Sequence, residues 1–236
     1  QDFQKLSAQH QELLIKYEEM LTSMGLALAV PKYNVLKTPY DTSSLFHAMA
    51  YLFKREKYKN CVTEREQKAV LKSMRSIVAE YLVNQPPYEL FSWDFGKISD
   101  PKRYPEYILK ETKPGGETEL KVFSHLYGLE FYIFDITTTS VTVRQIPKES
   151  KAEKRAYLVY DPLENHYDLL LQQKNLGPSV QEEMYIFDTA DQEVFKKAQE
   201  AAERLKEEKL KILTEELKDF LSGILRKIIR GIKVKR

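Results

Sequence analysis

The sequence predicts a mixed α+β domain: helices in the first half, a small central sheet flanked by them, and one long helix at the end. Three observations predict it. Apolar residues recur at helical spacing through residues 41–83 and again from Glu117 to Tyr127. Between Leu129 and Leu171 the period changes to short runs rich in β-branched and aromatic residues, separated by turn-like segments. From Thr189 the helical period returns and persists to Ile232. Helices first and strands later, packed on one another, make an α+β arrangement rather than an alternating one.

Taken in order, residues 3–24 read as a helix through Phe3, Leu6, Leu13, Leu14, Tyr17, Met20 and Leu21, ended by Gly25 as C-cap. An irregular stretch follows to Thr38-Pro39-Tyr40. A second helix starts at Asp41, with Leu45, Phe46, Met49, Leu52 and Phe53 as its buried stripe. A third covers Glu64–Val83 and stops before Gln85-Pro86-Pro87. Glu89–Lys110 is aromatic-rich and reads as short helices and loops. Lys113-Pro114-Gly115-Gly116 is a turn, opening a helix over Glu117–Tyr127. Strands are expected at Leu129–Phe134, Val141–Ile146, Ala156–Tyr160 and Tyr167–Leu171. Thr189-Ala190-Asp191-Gln192 has the form of a capping box for the last helix. The division expected is a domain over 1–188, with its motifs within about 20–175, and a helical extension over 189–236.

Composition excludes several classes. Of 236 residues, 42% are hydrophobic and 31% charged, as in ordinary globular chains. No apolar run reaches the ~18–20 residues that cross a bilayer. The chain starts at Gln1 rather than Met, so the lack of a targeting segment carries no weight. One cysteine, Cys61, excludes an internal disulfide and any multi-cysteine zinc site. That suits cytoplasm, or delivery into a host's cytoplasm. The net charge of +2 is unevenly spread: Ser222–Arg236 holds six bases and no acid, leaving 31 bases against 35 acids before it. The body is mildly acidic, and no nucleic-acid-binding face is expected there.

Three pieces carry candidate chemistry. Asp41-Thr42-Ser43-Ser44-Leu45-Phe46 is by itself an ordinary capped helix start. It also sets Ser44 at a helix N-terminus, where free N–H groups and the positive dipole end stabilise an anion. Asn165-His166-Tyr167-Asp168 leads an apolar strand. Alternation puts His166 and Asp168 on one face, so that Asp168 can orient the imidazole, although a polar strand edge would look the same. Lys113-Pro114-Gly115-Gly116-Glu117-Thr118-Glu119-Leu120 needs no reading beyond a turn and a helix start.

Together and in this order, the three pieces resemble the ovarian-tumour (OTU) family of cysteine-type deubiquitinases. That family's pattern is Asp-Gly-Asn-Cys-Leu-Phe, then a Trp-Gly-Gly-x-x-Glu-Leu-type segment opening a helix, then a His-Tyr-Asn or His-Tyr-Asp strand. Tyr17 to Leu26 is also similar to the helix entering the core in the subgroup around the family's founding member. The resemblance implies a papain-type cysteine protease core and no metal or cofactor. It further implies hydrolysis of the isopeptide or peptide bond after ubiquitin's C-terminal glycine, with ubiquitin or polyubiquitin as partner. Carried over, position 44 is the nucleophile, His166 the base and Asp168 its orienter. Asp41 is the motif's leading aspartate, and Thr42, Ser43 and Ser44 supply N–H groups to the oxyanion. Loops around Trp93–Tyr107 and Thr137–Glu153 fall where the family contacts ubiquitin.

Departures from the pattern are Thr42 and Ser43 for Gly-Asn, Pro114 for the tryptophan, and Ser44 for the cysteine. A cysteine at a helix start beside an imidazolium can ionise with a pKa of roughly 3–4, whereas a serine must lose its proton during attack. Two origins fit that serine: a substitution made to disable the enzyme, or a native serine, which some family members carry. A pseudo-enzyme that only binds ubiquitin or a partner is the competing function. Cys61 lies far from the motif and reads as a packing or surface thiol. Residues 209–236 form a basic amphipathic helix. It is expected to fold back on the core, to take a helical protein partner, or to lie on a membrane surface.

Overall fold

In a computed structural model the structure describes residues 16, 32–86, 95, 100–177 and 180–233. The helix expected over residues 3–24, its Gly25 cap and most of the segment 89–99 lie outside the described residues.

The elements are β1 (Lys32–Leu36), α1 (Ser44–Phe53), α2 (Arg55–Lys59), α3 (Glu64–Val83), a single 3-10 turn (Pro101–Arg103), α4 (Tyr104–Ile108) and α5 (Glu117–Tyr127). After them come β2 (Leu129–Ile136), β3 (Val141–Ile146), β4 (Lys154–Asp161), β5 (His166–Gly177), β6 (Val180–Met184), β7 (Phe187–Asp188) and α6 (Gln192–Lys233). The chain divides into two compact units. One comprises 34–171 and 185–236. In it the strands follow the order β1-β5-β4-β2-β3 with β7 on β4. β2 runs parallel to β4 and antiparallel to β3. The other comprises 1–33 and 172–184; there the far half of β5 pairs antiparallel with β6, and Gln172 donates to the Tyr33 hydroxyl.

Each element of the first unit has a local cause. α3 begins at a reciprocal box: Thr63 Oγ1 accepts from Glu66 N, and Glu66 Oε2 accepts from Thr63 N at 2.9 Å. α5 ends at Gly128, whose φ of 61° is the left-handed conformation that glycine enters without a Cβ penalty. α6 is capped not by Thr189 but by Asp191, whose Oδ1 accepts from Glu193 N and Val194 N at 3.1 Å each. The helix therefore starts at Gln192.

α1 departs from the stripe expected of it. Every residue from Ser44 to Leu52 is buried, because the helix lies inside the core cluster with α3, α5 and the sheet. A helix enclosed on all sides has no need of a polar face. The β4–β5 hairpin pairs Asp161 with His166 and Val159 with Asp168. Asn165, with a φ of 49°, turns the chain directly before His166; asparagine tolerates that region better than most residues. This hairpin and the start of α1 meet where Tyr167 N donates to Ser44 Oγ, 123 positions away in sequence.

Candidate active site

Ser44 is the first residue of α1 and is 3% exposed. Its Oγ accepts a hydrogen bond from Tyr167 N at 3.1 Å. Tyr167 sits between His166 and Asp168, so the hydroxyl lies against the strand that carries both. Among the described residues, no hydrogen bond joins Ser44 Oγ to the His166 ring.

His166 and Asp168 form a buried pair, with Nε2 3.1 Å from Oδ1. The carboxylate is held from a second direction by the segment after β1. Thr38 N donates to Oδ1 at 2.8 Å and Lys37 Nζ to Oδ2 at 2.9 Å. A carboxylate only accepts, so the proton on this side of the ring is on Nε2 and the basic lone pair of the neutral imidazole is on Nδ1. Tyr40 stacks on the ring with centroids 4.2 Å apart and planes 8° from parallel. It is itself 74% exposed, so it forms the outer cover of a histidine that is 4% exposed.

Asp41 faces the other side of the loop. Its Oδ1 accepts from Ser43 N at 2.7 Å, and its Oδ2 lies 3.0 Å from His47 Nε2. The opposite nitrogen of His47 is 2.5 Å from the Tyr58 hydroxyl. Burial pushes that phenol up to about 12, so Tyr58 stays protonated at neutral pH. The Ser43 amide, one of the three expected oxyanion donors, is therefore committed to Asp41 in this state. Thr42 ties the loop outward, its Oγ1 donating to Glu111 O at 2.7 Å.

No protein-family model matches the chain. It is 29% identical over 182 residues to ubiquitin thioesterase OTU1 of Gallus gallus, a match covering 77% of this chain and 54% of that protein. It is 30% identical over 134 residues to OVARIAN TUMOR DOMAIN-containing deubiquitinating enzyme 2 of Arabidopsis thaliana, covering 56% and 55%. The chain thus spans about half the length of these curated relatives. A solved ovarian-tumour domain in complex with ubiquitin superposes with a TM-score of 0.53 at 21% identity, over 75% of this chain and 89% of that one. The chain has the fold of an ovarian-tumour (OTU) domain.

Within this fold the Gly115-Gly116 turn presses against the start of α1. A Cβ added at Gly115 would sit 2.8 Å from Leu45 Cδ2 and 3.0 Å from Phe46 Cε2. Glu119 holds that turn from α5. Its Oε2 accepts from Gly116 N at 2.6 Å and its Oε1 from the Tyr104 hydroxyl at 2.7 Å. Glu119 is fully enclosed, and burial pushes its carboxyl up to about 7 in spite of those donors. Arg75 of α3 supports the loop from beneath. It donates to Ile108 O at 2.9 Å, Glu111 O at 3.3 Å and Ser43 Oγ at 2.9 Å, and lies 4.0 Å from the centroid of Phe46. Its Nε finds no partner among the described residues, and desolvation lowers its pKa.

Of the residues the sequence named, the structure brings Ser44 against the strand of His166 and Asp168, while the side chains of Asp41, Thr42 and Ser43 are engaged by His47, Glu111 and Arg75. It adds Thr38, Tyr40, His47, Arg75 and Glu119. Arg75 had one signal: it falls at helical spacing with Leu71, Val78 and Leu82, an arginine on an apolar face. Thr38 had none, since its role comes from a strand 128 positions away. Among the described residues no cluster of three or more His, Cys, Asp or Glu could hold a metal.

Proposed function

We propose that this chain hydrolyses the peptide or isopeptide bond after the C-terminal glycine of ubiquitin or polyubiquitin, with Ser44 as nucleophile. The observation that carries the reading is the contact of Ser44 Oγ with the His166-Tyr167-Asp168 strand at the N-terminus of a buried helix. The names of the relatives support the substrate class.

The residues divide the work as follows. Ser44 Oγ attacks the glycine carbonyl while its proton passes to His166 Nδ1, and the carbonyl electrons move onto the oxygen. Asp168, on Nε2–H, holds the ring and stabilises the imidazolium that forms. Ser44 N, at the first helical position, has no helical acceptor and is the first donor to the developing oxyanion. Thr42 N is the second donor, and Ser43 N joins only if Asp41 releases it. Collapse of the intermediate expels the lysine amine, which takes the proton back from His166; water then repeats the cycle on the acyl-enzyme. No step needs a metal or cofactor.

A serine in this site starts from a neutral hydroxyl, whereas a cysteine would start from a thiolate. Losing a triad nucleophile altogether costs on the order of 10⁶ in rate, and the serine form falls between that and mild impairment. The test is diubiquitin cleavage by the chain and by Ser44→Cys, with reaction of the cysteine form with a C-terminally activated ubiquitin probe. Robust cleavage by Ser44→Cys is the expected result, and a folded but silent variant would sink the hydrolase reading.

A second reading, a domain that binds ubiquitin without chemistry, is favoured by one observation: the Ser44 hydroxyl is engaged by Tyr167 N rather than by the His166 ring. Ubiquitin binding by both forms with cleavage by neither would select it.

We also infer a cytoplasmic setting, supported by a chain whose one cysteine is free. Among the described residues no helix is long and apolar enough to cross a membrane. The last helix adds a second contact surface. Its first turns pack on the body through Val194, Ala198, Ala201 and Ala202, and Lys209 pairs with Asp161. Beyond that, Leu213, Leu217, Phe220 and Ile224 are exposed, so this part of the helix does not fold back as one expectation had it. A helical partner and an anionic membrane surface remain as its occupants. Binding of a 209–236 peptide to anionic vesicles selects the membrane, and absence of binding removes it.

A further inference from the structure

Thr38 has no place in the three-residue scheme, yet it touches every part of the His166 strand that the scheme uses. It lies in the linker between β1 and the nucleophile loop and is 6% exposed. Its main-chain N donates to Asp168 Oδ1 at 2.8 Å. Its Oγ1 donates to Tyr167 O at 2.6 Å and lies 3.1 Å from His166 Nε2. A hydroxyl has one proton. With that proton on Tyr167 O, the oxygen faces Nε2 with a lone pair, so the ring must be the donor there. Nε2–H is thus shared between Thr38 Oγ1 and Asp168 Oδ1, and two acceptors, one on the linker after β1 and one on β5, fix one ring plane and one tautomer. The two flanking residues complete the arrangement, Lys37 on Asp168 Oδ2 and Tyr40 stacked over the ring.

We propose that Thr38 is a positioning residue for the reaction: its hydroxyl, anchored on Tyr167 O, accepts from His166 Nε2–H beside Asp168. In doing so it holds the imidazole with the Nδ1 lone pair available to the nucleophile at position 44. The proposal rests on the hydrolase reading above. The segment that leads into the nucleophile loop therefore also orients the base, so loop and histidine are set by one piece of chain. When a proton arrives on Nδ1, the imidazolium has two acceptors on Nε2–H rather than one, and charge-assisted bonds are the stronger kind.

Two measurements test it without depending on ubiquitin cleavage. In the full-length Ser44→Cys background, Thr38→Val keeps the shape and the main-chain bond to Asp168 but removes the hydroxyl. It is expected to slow iodoacetamide alkylation of the cysteine about tenfold to a hundredfold, the worth of one hydrogen bond to a charged group. Thr38→Ser should restore the rate to within a few-fold. Where ubiquitin–amide hydrolysis is measurable, the loss should fall on kcat with KM within about twofold. The second measurement needs no variant: by NMR at neutral pH the His166 ring proton should reside on Nε2 and show a through-space contact to the Thr38 methyl group.

An unchanged alkylation rate in Thr38→Val overturns the proposal, as does a Thr38→Ser variant as impaired as the valine. A ring proton found on Nδ1 overturns it too, even where Thr38→Val proves too unstable to assay. A Ser44→Cys protein that cleaves no ubiquitin yet loses alkylation rate with Thr38→Val defeats the hydrolase reading while leaving the positioning role standing.

Discussion

Replacing Glu119 with glutamine gives the sharpest test of the site's buried scaffold. Glutamine has nearly the same shape. Its oxygen can still accept from Gly116 N, and its amide can donate to the Tyr104 hydroxyl, which reverses one hydrogen bond and breaks none. What disappears is the titration. In the folded chain the carboxyl is raised from its ordinary 4.5 to about 7, chiefly by desolvation. The folded state therefore holds the proton more tightly than the unfolded one. The stabilisation from that tighter proton is full below about pH 4.5, falls as pH rises toward 7 and is gone above it. About 2.5 pH units at 1.36 kcal/mol each make the wild-type slope amount to roughly 3 kcal/mol. Urea unfolding of the full chain between pH 4.5 and 8 should thus show Glu119→Gln gaining on wild type by about 1.4 kcal/mol per pH unit, then running parallel above 7. Other titrating groups cancel in the difference. Two curves parallel throughout would mean that Glu119 is not buried as described and that no enclosed carboxyl holds the Gly116 turn.

Other outcomes follow from the same geometry. Arg75→Met should destabilise the domain by about 3 kcal/mol, because Ile108 O, Glu111 O and Ser43 Oγ lose a buried donor together; a shift in thermal midpoint of less than a degree would contradict that. Gly115→Ala puts a methyl 2.8 Å from Leu45 Cδ2 and should cost about 1–3 kcal/mol by urea unfolding, with activity of the Ser44→Cys form reduced as the turn shifts. His166→Ala in that cysteine form should abolish diubiquitin cleavage and, by taking the buried partner from Asp168 and Thr38, cost about 1–3 kcal/mol by urea unfolding. Phe220→Glu, on the 65% exposed face of α6, should change stability by less than about 0.5 kcal/mol; a larger loss would mean that the face is covered in the isolated chain.

Periodicity made most elements of the core legible. α3 and α5 were read with their bounds as found, β3 likewise, and β2, β4 and β5 to within a few residues at their near ends. These segments carry enough apolar residues at one period to declare themselves. β1 and β6 did not. Lys32–Leu36 has little alternation and Val180–Met184 is mostly polar, so each is a strand only because an adjacent strand satisfies its backbone groups. α1 was read as amphipathic although it is buried all round, since Ser44 and His47 carry no sign that their polar atoms find partners inside. The capping box read at Thr189 gave way to Asp191, which the geometry of the first turn makes the cap.

For the site, the sequence by itself determined which side chains stand at the helix start and at the strand edge, because capping and alternation are local and period-bound. Tertiary structure decided which of them meet. The contact of Ser44 with the strand 123 positions later, the clamp of Thr38 on His166 and Asp168, and the enclosure of Arg75 and Glu119 beneath the loop all depend on sheet order. No local pattern encodes that order. A hydroxyl or carboxylate has the same sequence signature whether it faces water or a buried donor, and only the packed chain settles which.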